Sequence, residues 1–338
     1  MRKKCVISLV GSICLLLVAL VLMTAYAKAT PIEEPIKLNA VSFIATKTHT
    51  AKTFIEWIEM VNERAGGKMK IKFLGGPEVI PAREQVEALR TGVVDISISP
   101  IAYHSKIVPA CIAWALSKDT PWEERKSGFF EHMSKLYEKA NIHLLAEIGK
   151  GAEMYFFLNK EIKTLRELRG LKIRTIPTVA TLLDKLGCKG VTIPRGDIYV
   201  AMERGLIDGF LSPPSLVIDL GQHEVTKCFV DHGFLVSVIV FGVNLDTWNS
   251  LPKDMQDLLS QTAEEIERID YPRYFEIEAK AKERLVELGV KKIEFSPEDI
   301  KRFYAIVYES FSADLDRADP KNGSILKRLI IHKVGEGR

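Results

Sequence analysis

Apolar and polar positions switch period repeatedly along the chain, and each switch marks an expected element. Residues 37–44 (Lys-Leu-Asn-Ala-Val-Ser-Phe-Ile) read as a first strand. Phe54, Trp57, Ile58 and Val61 then recur at helical spacing over residues 51–64, and Gly66-Gly67 ends that helix. Met69, Ile71 and Phe73 alternate as a second strand, Pro81 opens a helix to Leu89, and residues 93–99 form the next strand. This strand–helix–strand–helix–strand order implies parallel crossovers, the mark of an α/β fold. Residues 104–141 read as mostly helix and loop. Strands follow at 142–148, 155–158, 171–176, 190–193, 206–211, 226–230 and 234–243, with short helices at 164–169, 178–186 and 197–204, the last capped by Asp197. The 234–243 strand is almost wholly apolar, so it should be buried and is suited to pass between two lobes. Residues 252–288 are helical in pattern, with Pro272 expected to kink or break the run. Ser296-Pro297-Glu298-Asp299 starts a last helix to about Asp314.

One stretch is used twice. Ala88-Leu-Arg-Thr-Gly-Val-Val-Asp-Ile-Ser-Ile-Ser-Pro100 and Ala201-Met-Glu-Arg-Gly-Leu-Ile-Asp-Gly-Phe-Leu-Ser-Pro213 share a helix end, a Gly, two aliphatics, an Asp, a short strand and Ser-Pro. The Gly suits the left-handed position just past a helix. Two helix–strand units built alike predict two similar lobes with a cleft between them. In open α/β sheets ligands sit at the carboxyl ends of strands, and here those ends carry Ser99-Pro100 and Ser212-Pro213.

The amino terminus has the form of a secretory signal. Arg2, Lys3 and Lys4 precede an uncharged apolar run over residues 6–23, and Ala25-Tyr26-Ala27 and Ala27-Lys28-Ala29 both fit an A-x-A cleavage site. No Cys follows the run, so a lipid anchor is not indicated. Cleavage after Ala29 removes four cations and takes the formal net charge from +3 to −1. The exported protein then has no basic domain, which excludes a nucleic-acid partner on charge grounds. Of the cysteines, Cys111, Cys188 and Cys228 remain; they form no disulfide framework and no metal spacing, and buried free thiols are the simpler reading, with one disulfide left open. No Gly-x-Ser-x-Gly elbow and no Gly-rich phosphate or dinucleotide fingerprint occurs. His49, His104, His143, His223 and His232 have no metal-ligand spacing, and no cofactor is expected. A Cys111–His104 nucleophile pair has no acyl-transfer signature beside it.

Four segments in register carry a resemblance. Gly170-Leu-Lys-Ile-Arg174 is followed by Ala201-Met-Glu-Arg-Gly-Leu-Ile-Asp-Gly209, then Phe241-Gly-Val-Asn244 and Trp248-Asn-Ser-Leu-Pro-Lys-Asp254. Together with residues 75–97, this order resembles the DctP-type extracytoplasmic solute-binding proteins of TRAP transporters. The resemblance implies a periplasmic protein of two α/β lobes that hinge shut on a small organic acid and hand it to a sodium-driven permease of small and large membrane subunits. The expected partition is a signal peptide at 1–29, a first lobe from 36–151 plus 237–276, and a second from 152–236 plus 277–335. Feeding an ATP-driven importer or a sensor is the alternative role for the same fold, and a periplasmic enzyme the remaining one.

The candidate site follows from the same register. On spacing alone Arg174 is a charge on a solvated strand face; the resemblance implies instead that its guanidinium grips the ligand carboxylate through two parallel hydrogen bonds. Ser212 stands where the family commonly has Asn, and is either a donor to that carboxylate or a turn residue. Ser99 is its counterpart by the repeat. Tyr103 lies where some members place a polar contact, or packs on the lobe surface. Some members carry a second Arg where Met154 aligns, beside Glu153, so that charge is missing. The implied ligand set is therefore changed: a mono-acid with an apolar body suits Met154, Tyr155 and Phe210, while Glu153 would meet a cationic group on a zwitterion. Arg195, near a position that is aromatic in some members, is either a second positive charge or part of a solvated loop. Asn244 ends the long apolar strand and is a cleft candidate. Of the aromatic walls considered, Trp57 fits the core by its helical spacing and Trp114 is kept as a ligand candidate.

Overall fold

The computed structural model describes residues 34–236 and 238–334, so the expected signal segment lies outside the described residues. Strand β1 (Ile36–Ser42), helix α1 (His49–Arg64), β2 (Met69–Gly75), α2 (Gln85–Arg90) and β3 (Ile96–Pro100) alternate as the apolar pattern predicts. Helices α3 (Pro121–Ser127) and α4 (Phe129–Glu138) lead to β4 (Ile142–Ile148). Then come β5 (Glu153–Leu158), β6 (Lys172–Arg174), α5 (Ala180–Lys185), β7 (Lys189–Val191), α6 (Ile198–Glu203), β8 (Gly209–Ser212), α7 (Pro214–Asp219) and β9 (Cys228–Val236). The chain ends with β10 (Ile239–Asn244), α8 (Leu245–Ser250), α9 (Lys253–Glu287), β11 (Lys291–Ile293), α10 (Pro297–Ala318) and α11 (Pro320–Leu329).

These strands form two sheets, ordered β2-β1-β3-β10-β4 and β11-β9-β5-β8-β6-β7, each the floor of one α/β lobe. Within them β1 and β3 run parallel, as do β6 and β8, while β10 and β5 run antiparallel to their neighbours. The chain passes between the sheets from β4 to β5, from β9 to β10, and along α9, which packs on α1 and β4 at one end and α7 at the other. The 234–243 stretch does cross between lobes, but as two strands rather than one: its first part completes β9 and its second begins β10. Uninterrupted apolar sequence hides such a change of partner, because strands in both sheets are buried on both faces.

The doubled stretch has a common physical cause. Gly92 (φ +75°) and Gly205 (φ +66°) hold the left-handed turn that a side chain would strain. Three residues on, each Asp pairs with the adjacent parallel strand. Asp95 Oδ2 accepts from Asn39 N at 2.7 Å, and Asp95 N donates to Asn39 O at 3.0 Å. Asp208 Oδ2 accepts from Lys172 N at 2.8 Å, and Asp208 N donates to Lys172 O at 2.7 Å. The motif is a clamp that sets strand register at the end of the sheet away from the cleft.

Three local expectations are corrected. Helix α9 runs unbroken through Pro272, because the ring sits on the exposed face and the carbonyl of exposed Arg268, which loses its donor, faces water. Asp197 makes no side-chain cap, since the Arg195–Asp197 turn already has helical geometry when it feeds α6. Helix α2 starts at Gln85, after a turn closed by Glu84 N donating to Pro81 O. All three described cysteines are free and buried. A large apolar core joins Trp114 and Phe129 to Phe156, Phe234 and Phe303 through the 3₁₀ stretch Pro109–Leu116, which packs on α10 and α11. A second cluster, on the opposite face of the β5–β8–β9 sheet from Phe156 and Phe234, gathers Phe157, Phe210 and Phe229. No helix of the described residues is long and apolar enough to cross a membrane.

Candidate functional site

The carboxyl ends of β3, β6 and β8 and the amino ends of β5 and β10 converge on one place between the sheets. A cavity of about 110 Å³ lies there, walled by Phe43, Pro100 and Tyr103 from one side and Met154, Arg174, Arg195 and Pro213 from the other. That is the size range of an engineered cavity that takes up benzene, about 150 Å³.

Arg174 ends β6 and is only 6% exposed. Its Nε donates to Ile193 O at 3.2 Å. Burial first, and then the neighbouring Arg195 guanidinium, depress its pKa to about 10, against a small upward pull from Tyr103. None of its electrostatic neighbours is a carboxylate. Arg195, half-buried, reaches Ser212 Oγ at 3.5 Å through Nη1, and burial lowers its pKa as well. Arg83 completes the cationic side at the mouth, its guanidinium 6.0 Å from the Tyr103 ring centre. Tyr103 in turn meets Phe43 edge-on at 6.2 Å. Three guanidiniums thus face one small space, and two of them are partly stripped of water. An anion entering there would be held strongly, because the surroundings screen poorly.

Opposite them, helix α9 presents a buried polar stripe at i, i+4 and i+8. Asp270 accepts from Thr53 Oγ1 at 2.9 Å and from Gly149 N, in the β4–β5 crossover, at 3.1 Å. His49 Nε2 lies 3.4 Å from the same carboxylate. Tyr274 shares a 2.5 Å hydrogen bond with Thr50, and Glu278 accepts from Ser215 N at 3.0 Å and from Ser215 Oγ. His49, Tyr274, Glu278 and Asp219 all line the cavity. Burial raises the pKa of Glu278, opposed by its Ser215 bonds, and that of Asp219, opposed by Lys47. Sequence reading missed these residues and Arg83. The i, i+4, i+8 spacing on a long helix was the available signal, but such a stripe normally reads as the solvated face.

The sequence-derived candidates separate cleanly. Arg174, Arg195, Tyr103 and Met154 line the cavity. Ser212 is fully buried and touches it only through Arg195. Ser99 is turned away, its Oγ 2.6 Å from His104 Nε2; the repeat's prolines, not its serines, face the space. Glu153 pairs with Lys118 outside the cavity. Phe210 is core, stacked on Phe157 at 5.5 Å, and Trp114 is core, its Nε1 donating to Glu124 at 2.8 Å. Asn244 lies at the wrong end of β10, five residues and about 17 Å from Ile239 at the cavity. There it caps α8 and donates to Leu89 O at 2.9 Å. Alternation and strand direction decide these cases, and neither is visible without the sheet partners.

A separate group, Asp119, Glu123 and His332, brings ligand atoms within 4.8 Å of one another. Its members already have structural partners: Asp119 accepts from Ile331 N and His332 N, and Glu123 closes a capping box with Thr120. The cluster fastens the end of the chain to α3.

Comparison with known proteins places the family and the fold. Residues 41–313 match the family model for DctP, bacterial extracellular solute-binding protein, family 7. A relative from Nostoc sp. PCC 7120, described as a monocarboxylate 2-oxoacid-binding periplasmic protein, is 25% identical over 76% of this chain and 73% of its own. A TRAP periplasmic solute-binding protein from Desulfovibrio salexigens, solved with orotic acid, superposes with a TM-score of 0.80 at 18% identity, covering 87% of this chain and 96% of that one. One from Rhodoferax ferrireducens, solved with malonate, gives 0.76 at 17% identity over 86% and 98%.

Proposed function

This chain belongs to family 7 of the bacterial extracellular solute-binding proteins, and from that premise we propose that it is a periplasmic receptor that captures a small organic acid in the interlobe cavity and passes it to a TRAP permease. The observation that carries the reading is Arg174: a buried guanidinium, without a carboxylate among its neighbours, facing a cavity of ligand size. A carboxylate is the group that fits it, because two parallel N–H···O bonds fix both position and plane. Arg195 adds charge from the next loop, and Tyr103 approaches from the opposite lobe.

The ligand docks on the Arg174 lobe, and residues of the other lobe then close over it. The extra contacts of the closed state are what bias the hinge. The crossover at 149–152 is a flexing segment, and α9 reports occupancy to it, since Tyr274 and Glu278 line the cavity while Asp270 holds Gly149. The permease then reads the closed surface. No catalytic step is assigned to the site.

Isothermal titration calorimetry of Arg174→Ala against small carboxylic acids tests this. Truncating one partner of a desolvated charge pair costs about 2–5 kcal/mol, so affinity should fall at least thirtyfold. Unchanged affinity removes Arg174 from the site.

A further inference from the structure

The cavity does not end at Met154 and Ile176. Those side chains, with Pro100 and Ala102, also wall a second, smaller cavity of about 50 Å³. Its remaining lining, including Ile112, Ala115, Leu235, Val238 and Phe311, carries no charge. The polar side-chain groups there are the Cys111 thiol, already donating to Ile101 O at 3.3 Å, and the Thr178 hydroxyl. This annex draws on the 3₁₀ stretch of one lobe and on β9 and α10 of the other, so it lies across the same interlobe gap. The charges of the first cavity also bear on the ligand. Its three arginines outnumber Asp219 and Glu278 by one.

We propose that the ligand is a monoanionic acid whose aliphatic tail passes Met154 and Ile176 into this annex; the inference rests on the carboxylate reading of Arg174. An excess of one positive charge matches one carboxylate. A second ligand carboxylate directed into the annex would lose its water and find no cation, which is costly. A hydrocarbon tail gains there, since small apolar cavities stay dry and accept apolar guests. Met154 suits the threshold, because an unbranched thioether shifts rotamer to fit what passes it.

The test is calorimetry of the purified protein with straight-chain 2-oxo acids of three to six carbons, and with 2-oxoglutarate as the dianion. Affinity should rise about three- to fourfold per added methylene, the transfer value of a buried CH₂, and 2-oxoglutarate should bind at least tenfold more weakly than the six-carbon monoacid. Ala115→Leu, which fills the annex, should weaken the six-carbon acid more than the three-carbon one. Thr178→Val should keep or improve six-carbon binding. A flat series, tighter binding of 2-oxoglutarate, or a tenfold loss in Thr178→Val overturns the tail while leaving the carboxylate reading intact. Failure of every acid to bind overturns that reading itself, and this inference with it.

Discussion

Lys150 and Arg174 are cations buried to nearly the same depth, 5% and 6% exposed, and they are treated in opposite ways. Lys150, in the β4–β5 crossover, pairs with Glu124, lies 3.6 Å from Glu147 and donates to Asp119 O at 3.0 Å. Glu124 is itself anchored by Trp114 Nε1 and Ser117 Oγ. Burial pulls the Lys150 pKa down, but the two carboxylates outweigh it and the net shift is upward. Arg174 has a backbone carbonyl and a second arginine, and its net shift is downward. Lys150 comes with its counter-ions, whereas Arg174 lines the interlobe cavity with no carboxylate among its electrostatic neighbours. His104 shows a third treatment: burial pushes its imidazole pKa down to about 3, so it is kept neutral beside Ser99.

The largest effect that separates these cases should come from Lys150→Met. It strands Glu124 and Glu147 in the core, and breaking a buried pair from one side costs about 3–5 kcal/mol. Urea denaturation reads this; a loss under about 1 kcal/mol would mean that the cluster is not the brace described here. Arg174→Met should act in the opposite direction on stability. It removes an unpaired buried charge, so the unliganded melting temperature should rise by about 2–4 °C, while the shift induced by a carboxylic acid disappears. A fall in unliganded melting temperature would show that Arg174 has a structural partner after all.

A pH-dependent effect concerns His104. The unfolded chain takes up a proton near pH 6.5, but the folded protein does not until about pH 3. Between those values the unfolded state binds more protons, so stability falls on acidification by up to about 1.4 kcal/mol per pH unit from this group. At pH 5 that amounts to about 2 kcal/mol. His104→Gln should flatten this part of a stability–pH profile measured by denaturation; an unchanged slope would assign the acid sensitivity elsewhere.

The legible part of the site was the part tied to local pattern. The Gly-x-x-Asp repeat predicted two strands ending at one cleft, and β3 and β8 do end there. Placing Arg174 in the site needed the family resemblance, because a charged residue beside Lys172 reads as solvated. Pairing was the main source of error. The resemblance puts Trp114 and Phe210 at the ligand, and the end of the long apolar strand puts Asn244 there, yet Asn244 is carried to the far end by the antiparallel run of β10, and the two aromatics point into the core. Arg83, Tyr274 and Glu278 were missed because they reach the cavity from a surface loop and from the inner face of a long helix.

What the sequence determined alone was the order of elements and the class of fold, since hydrophobic period and turn glycines are local properties of the chain. It also determined the left-handed glycine turns at Gly92 and Gly205, whereas the partners of Asp95 and Asp208, Asn39 and Lys172, lie far away in the chain and came from the fold. The tertiary structure decided which charges meet. Burial and the distance between groups far apart in sequence set the sign of an electrostatic interaction, so only the packed lobes could give Lys150 its carboxylates and leave Arg174 beside two other arginines at the interlobe cavity.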